Sequence, residues 1–241
     1  MEDKILEQGV VEIAIENVQS LSHEDYALVR KNYFGASDSS ILCGVNLYKS
    51  LDDLIKEKNC KYLTEEEKAV GEKPIVRKGY DLEPIILQKA ETELNTEIHK
   101  PKDMYKFKSV DGLSINFDGV IEEEGKLVPV EAKLVSKYGE KYYNKLVDIK
   151  VMKIKTLNVD INKPIDTYIK QKALLLGIPA YYYTQVQQEI AALNAPYGYL
   201  AALFDESWTF KLFYIPRDER VIDVIYNRCE ENITKIKRDT E

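Results

Sequence analysis

The sequence predicts an α/β layered domain with a mixed central β-sheet flanked by helices, and three observations predict it. Helix-spaced apolar residues with start and stop signals occupy the chain up to Leu94. A strand-rich stretch follows from Lys102 to Val135, and helices and two further strand patterns follow Pro164. At 241 residues with 44% hydrophobic side chains, the chain is long enough to bury one sizeable core. We therefore expect a single domain over 1–241, with a helical N-terminal segment (about 1–73), a core (about 74–215) and a closing helix (about 220–237).

Taken in order, residues 1 to 20 alternate apolar and acidic side chains and read as a short strand or an arm. Ser22 is a candidate N-cap for a helix to about Asn32 with Tyr26, Leu28 and Val29 apolar. Phe34 to Asp38 is a turn that opens a short helix, Ser39 to Leu42, ended by Gly44. Ser50 to Lys58 carries Leu51, Leu54 and Ile55 at helical spacing, and the charged stretch Asn59 to Lys73 reads as a linker. Pro74 starts a long helix to about Leu94, with Leu82, Ile85, Ile86 and Leu87 on its buried side. Ser114 to Ile121 and Lys126 to Val135 are strand-like runs about a hairpin turn at Glu122 to Gly125. A helix from Ile165 to Leu176 is closed by Gly177-Ile178-Pro179. Tyr181 to Ile190 fits either a strand or a helix, Gly198 to Phe204 and Ser207 to Ile215 fit strands, and Arg220 to Lys237 fits the closing helix.

The three cysteines, Cys43, Cys60 and Cys229, are widely spaced and form no C-x-x-C pair, so they are expected to be reduced thiols. The N-terminus lacks a signal-peptide profile and no apolar run approaches the roughly 18 residues that span a bilayer. The expectation is a cytoplasmic protein without a membrane partner. A net charge of −7 argues against a generic nucleic-acid binder. Lysine is nevertheless concentrated between Lys133 and Lys155, and Lys133, Lys137, Lys141 and Lys145 recur every four residues, with Tyr138, Tyr142 and Tyr143 interleaved. This is a solvated helix face, a flexible basic loop or a face that tracks DNA, and those tyrosines are the candidates for base stacking. The other tyrosines and Trp208 read as core. His23 reads as a surface residue at a helix start, and His99 has no metal-ligand spacing to another His or Cys.

The chemistry is concentrated in Asn116-Phe117-Asp118-Gly119-Val120 and Pro129-Val130-Glu131-Ala132-Lys133, an Asp-x12-Glu-x-Lys pattern on adjacent strands. Alternation puts Glu131 and Lys133 on one face of their strand. With Asp118 beside them, the oxygens suit a hard cation such as Mg2+, as in a nuclease-type metal site. Lys133 could orient or activate water or stabilise a developing phosphorane charge. The plainer readings are a turn at Asp118-Gly119 and a solvated Glu-x-Lys ion pair.

Four segments in order resemble the YqaJ-like viral recombinase and bacteriophage lambda exonuclease family of the PD-(D/E)XK nuclease superfamily. They are Arg30 with Phe34-Gly35-Ala36-Ser37-Asp38 and its continuation Gly44-Val45-Asn46-Leu47-Tyr48, where Leu47 replaces the usual proline; Gly79-Tyr80-Asp81-Leu82-Glu83-Pro84; Asp118 with Glu131-Ala132-Lys133; and Gln185-Val186-Gln187. The resemblance implies a restriction-endonuclease-like core. It also implies a site in which Asp118, Glu131, the Ala132 carbonyl and Glu83 bind Mg2+, with Mn2+ as substitute. Lys133 would orient or deprotonate the attacking water, with a pKa depressed by the bound cation, and Gln185 would hydrogen-bond that water or Lys133. Arg30, Ser37 and Asn116, the last in place of a serine, match positions that bind a terminal 5′ phosphate. A further arginine of the family has no match here, and Lys137 is the substitute considered.

The function so implied is 5′→3′ digestion of one strand at double-stranded DNA ends, leaving 3′ overhangs for a single-strand annealing protein. A homo-trimer and a phage or prophage origin in a bacterial host go with it. The alternatives are an endonuclease or nickase on the same fold, a catalytically silent DNA-binding protein, or an unrelated α/β protein.

Overall fold

The structure, a computed structural model, describes residues 1–143 and 159–237. The first stretch is structured: α1 (Glu2–Gln8) precedes β1 (Val11–Ile15), which pairs antiparallel with β2 (Met104–Phe107). This settles the arm-or-strand alternative as a helix followed by a strand. Next come α2 (His23–Val29), whose Ser22 hydroxyl accepts the Asp25 amide, α3 (Ser39–Leu42), and α4 (Leu51–Lys58), capped by Ser50. The expected linker contains a helix, α5 (Glu65–Gly71). Thr64 and Glu67 form a reciprocal capping box there, and Lys31 ties Glu67 to the preceding helices at 2.9 Å.

The long helix α6 (Pro74–Leu94) has proline at its first position, as its start signal predicts, and ends on Asn95 in the left-handed region. Its buried side is Ile86, Leu87 and Ala90, with Leu82 partly buried, whereas Ile85 is exposed, one position off the stripe. The run expected as one strand, Ser114 to Ile121, is divided between two sheets. β3 (Ser114–Ile115) pairs with β2, and β4 (Gly119–Glu123) pairs antiparallel with β5 (Lys126–Val135). Glu124 and Gly125 both have positive φ, 50° and 74°, the primed geometry that suits a two-residue hairpin.

After α7 (Lys137–Glu140), α8 (Ile165–Leu176) ends at Gly177, which takes the left-handed conformation. The segment open between strand and helix is α9 (Ala180–Ala192). β6 (Tyr197–Phe204) runs parallel to β5, β7 (Thr209–Pro216) pairs antiparallel with β6, and α10 (Glu219–Ile233) closes the chain. Trp208, expected in the core, is exposed in the β6–β7 turn.

The described sheets are a three-stranded one, β1-β2-β3, and a mixed four-stranded one, β4-β5-β6-β7. Alternation distributes the second between two cores. Tyr199, Ala201 and Leu203 of β6 pack with Val128, Val130 and Ala132 of β5 against α6. Leu200, Ala202 and Phe204 join the larger core with Tyr183, Val186 and Ile190 of α9. Gly119 pairs with Val130 as a strand residue rather than a turn residue, and a Cβ there would collide with Ile98 and stand 3.3 Å from Leu87 of α6. His99 pairs its backbone with Val120, and its imidazole lies 3.0 Å from Glu2, away from any metal-ligand set. Of the basic series, Lys133 lies in β5 and Lys137 in α7, so they share no helix face; Lys145, Lys150, Lys153 and Lys155 lie outside the described residues. Among the described residues, no helix is long and apolar enough to cross a membrane.

Candidate active site

A cleft of 610 Å3 collects the predicted residues from five parts of the chain. Its walls include Arg30, Ser37, Glu83, Asn116, Asp118, Glu131, Ala132, Lys133 and Gln185. Of the predicted residues, only Lys137 does not line it. Lys137 follows the end of β5, its side chain is 66% exposed, and its ammonium pairs with Glu206 at 3.1 Å, so it does not replace the missing arginine inside the cleft.

The acidic half is set by the β4–β5 pair. Asp118 stands immediately before β4, where its Oδ2 accepts the Ala132 amide at 3.0 Å, which fixes its carboxylate to the strand that carries Glu131 and Lys133. Glu131 is 2% exposed, and its Oε1 accepts both from Lys133 Nζ and from Gln185 Nε2. Lys133 Nζ is also 3.8 Å from Asp118 Oδ2. Glu131 and Lys133 therefore share the face turned toward α9, as the alternation predicts.

The electrostatics show an excess of acid. Burial, reinforced by the neighbouring Asp118 charge, pushes the Glu131 carboxyl up to about 7 despite Lys133. Glu189, on α9 and fully buried, is raised well above the carboxylate range by burial and by Glu131. Burial alone would lower the Lys133 ammonium, but Glu131 and Asp118 outweigh it and raise it above the usual lysine value. Gln185 contacts Glu131, with Glu189 Oε1 at 3.5 Å, rather than Lys133.

Glu83 lines the cleft from α6, but its carboxylate is engaged by Lys100 and is not gathered with Asp118 and Glu131. Among the described residues, no three His, Cys, Asp or Glu side chains are placed to chelate a metal by themselves. A cation here would draw on the two carboxylates and the Ala132 carbonyl. The oxygen donors and their surplus negative charge fit a hard divalent ion.

The other half of the cleft holds Arg30, Ser37 and Asn116. Arg30 Nη2 donates to Ser37 Oγ at 2.8 Å, and the guanidinium lies 5.7 Å from the Tyr26 ring centroid. Gly35 leaves room for it, since a Cβ would stand 3.2 Å from Arg30 Nη2. Behind it Asp38 accepts the Gly35 amide and pairs with Lys58 at 2.8 Å; burial opposes ionisation, but Lys58 and Arg30 hold the carboxyl below its usual range. The segment is sewn to β3 by Phe34, which donates to Gly112 and accepts from Ser114. Gln188 of α9 reaches both carbonyls, Phe34 O at 3.3 Å and Ser114 O at 2.9 Å. Ser37 and Asn116 thereby line the same cleft, and the buried Asn116 Oδ1 has no hydrogen-bond partner among the described residues.

Sequence reasoning missed Glu189, Tyr182 and Lys100. Glu189 is four residues after Gln185 and so shares its helix face, a signal present in the sequence. Tyr182 lines the cleft with its ring 5.7 Å from Lys133 Nζ. Of the tyrosines considered for base stacking, Tyr143 belongs to the core, its ring against Phe204 and Phe213.

No curated protein matches the sequence. Among solved structures, the fold is similar to an alkaline exonuclease (LHK-Exo) from Laribacter hongkongensis, with a TM-score of 0.58 at 14% identity over 87% of this chain and 90% of that one. The same enzyme in complex with dAMP gives 0.58 at 15% identity over 87% and 90%. A phage related exonuclease from Haemophilus somnus 129PT gives 0.50 at 13% identity over 85% and 93%. These likenesses show the nuclease core fold that the motif order implied. Residues 25–195, which hold every residue of the cleft named above, match the model of the YqaJ-like viral recombinase domain. With fold, motif order and family model in agreement, the chain belongs to the YqaJ-like viral recombinase family.

Proposed function

We propose that this protein is a Mg2+-dependent exonuclease that digests one strand of linear double-stranded DNA in the 5′→3′ direction and leaves a 3′ overhang. The observation that carries the reading is the single cleft that holds Asp118, Glu131 and Lys133 together with Arg30, Ser37 and Asn116. The acidic half suits phosphodiester hydrolysis and the basic half suits a terminal phosphate.

Asp118, Glu131 and the Ala132 carbonyl would hold Mg2+, or Mn2+ in its place. Glu83 would join them only by leaving Lys100. When bound, such a cation supplies Lewis-acid polarisation of the phosphate and a water of lowered pKa. The chain's own groups supply the rest. Lys133, on the strand face that carries Glu131, would orient the attacking water or place positive charge beside the equatorial oxygens as negative charge develops. Gln185 holds Glu131 in its orientation by donating to Oε1. Arg30 presents a fork whose donors, with Ser37 and the Asn116 amide, match a phosphate dianion. A terminal phosphate carries more charge and one more free oxygen for these donors than an internal phosphodiester, so the arrangement favours an exonuclease over an endonuclease. The overhang would pass to a single-strand annealing protein, and a homo-trimer would surround the duplex.

The test is digestion in Mg2+ of linear duplex with 5′-phosphate or 5′-hydroxyl ends and of closed circles, with Lys133→Ala alongside. The expected result is loss of the 5′-phosphorylated linear DNA alone, abolished in the variant. Cutting of closed circles would replace this reading with an endonuclease, and no cleavage of any substrate would end the catalytic reading.

A further inference from the structure

Of the glycines that line the cleft, Gly35 makes room for Arg30, whereas nothing in the fold accounts for Gly79. Gly79 lies well inside α6, a helix of 21 residues, where glycine destabilises relative to alanine because it orders more backbone and packs nothing. Elsewhere in the described chain, Gly119 and Gly198 stand where a Cβ would meet neighbouring side chains, and Gly44 and Gly125 have positive φ. Neither limit applies to Gly79. Its backbone is helical, and apart from that backbone and its chain neighbours no described atom lies within 4 Å of the place a Cβ would take. The missing methyl group faces the cleft, since Ile75 and Glu83, one turn to either side on the same helix face, line it too.

We propose that Gly79 is a substrate-contact residue, a clearance on α6 that receives the deoxyribose of a nucleotide next to the phosphate held at Lys133; the proposal rests on the nuclease reading. The ligand class is the sugar–phosphate backbone of the digested strand. Three features favour a sugar over a base edge. The interior of a helix engages its N–H and C=O groups in its own bonds, so the bare backbone at Gly79 is a smooth surface without free donors. Ile75 and Val76 on the same wall are apolar, which suits sugar carbons and gives a base edge no hydrogen bond by which its identity could be read. A scissile phosphate is esterified to a sugar on each side, so a sugar enters the cleft of Asp118, Glu131 and Lys133 whatever the sequence. The helix thus forgoes the stability of an alanine where the strand comes closest to it.

The experiment sets Gly79→Ala on the full chain against the loss of one sugar from the DNA. Thermal melting comes first: with the clearance empty, Gly79→Ala should raise Tm by about 1–4 °C, the gain of alanine over glycine in a helix. Dissociation constants are then measured by fluorescence anisotropy in Ca2+ for 5′-phosphorylated duplexes, intact or with an acyclic three-carbon linker in place of one nucleoside, moved one position at a time from the 5′ end. A methyl group added against an occupied space is overpacking, so Gly79→Ala should weaken binding of intact DNA roughly 5- to 150-fold. At one register the linker should return most of that loss, because it removes the sugar that the methyl group meets. The proposal is overturned if Gly79→Ala melts below wild type, which would make the glycine structural, or if it binds intact DNA as wild type does. It is equally overturned if the linker returns nothing at any register, or if wild type binds none of the duplexes. Digestion in Mg2+ is scored separately: active wild type without the register effect removes the clearance and keeps the nuclease, whereas a register effect without digestion keeps the contact and removes the nuclease.

Discussion

Glu131 is a buried carboxyl whose ionisation the fold opposes, and the cost can be read out as stability. In the unfolded chain it ionises near 4.5, whereas in the folded protein burial and Asp118 hold the proton until about 7. A carboxyl whose folded pKa is raised contributes stability below its unfolded value and loses it as pH rises through the window between the two. At about 1.4 kcal/mol per pH unit, that window corresponds to ~3 kcal/mol. Glu131→Gln removes the charge and keeps an oxygen that can accept from Lys133 and Gln185. The perturbation is therefore the pair wild type and Glu131→Gln, followed by circular-dichroism melting in EDTA from pH 4.5 to 8. Because ~1 kcal/mol moves Tm by about 2–4 °C in a domain of this size, wild type should lose roughly 6–12 °C relative to the variant across the window. Mg2+ at pH 8 should then restore Tm in wild type and do little for Glu131→Gln, since a ligand of the folded state stabilises it by mass action. Parallel curves, with less than about 2 °C of divergence, would refute both the buried acid cluster and the cation site built on it.

Three further outcomes follow from particular contacts. Under the proposed function, Arg30→Ala should remove a charged donor set from the terminal-phosphate site, so the preference for 5′-phosphorylated over 5′-hydroxyl ends should fall roughly 10- to 150-fold in kcat/KM. Gly119→Ala should destabilise by about 1–3 kcal/mol in urea unfolding, because its methyl group meets Ile98 under α6. Asp218 accepts from Tyr168 at 3.0 Å and Tyr183 at 2.8 Å and caps α10 with a bond to the Val221 amide, so Asp218→Ala should cost about 3 kcal/mol by thermal melting, far from the cleft chemistry.

Much of the fold and site was legible because the signals were local. Proline at the head of α6, Gly177 at the end of α8 and Glu124-Gly125 in the hairpin each constrain their own backbone, and all three ended or started elements where expected. The division of Ser114 to Ile121 was not legible, since each half is strand-like and only their partners, β2 for one and β5 for the other, differ. α5 carried a visible Thr64–Glu67 capping box, but its charged surface hid it; the helix is held at its end by Lys31, far away in sequence. Within α9, the polar run is explained by position. Gln188 staples Phe34 to Ser114, Gln187 accepts the Asp218 amide and donates to Pro216, and Gln185 alone of the three glutamines reaches the acidic cluster. The pairing of Glu83 with Lys100 and the burial of Tyr143 depend on tertiary neighbours that no spacing encodes.

The short passage between the two sheets has a metric consequence. Under the proposed reading Asn116 serves the end-binding half and Asp118 the hydrolytic half, and only Phe117, itself buried, separates them. Two residues of extended chain reach no further than about 7 Å, so the interval from grip to cut is fixed by covalent geometry and locked by packing at both ends. Under the proposed reading the protein is a ruler of one nucleotide: each stroke should release a mononucleotide, and an insertion between Asn116 and Asp118 should lengthen the product before it abolishes the cut.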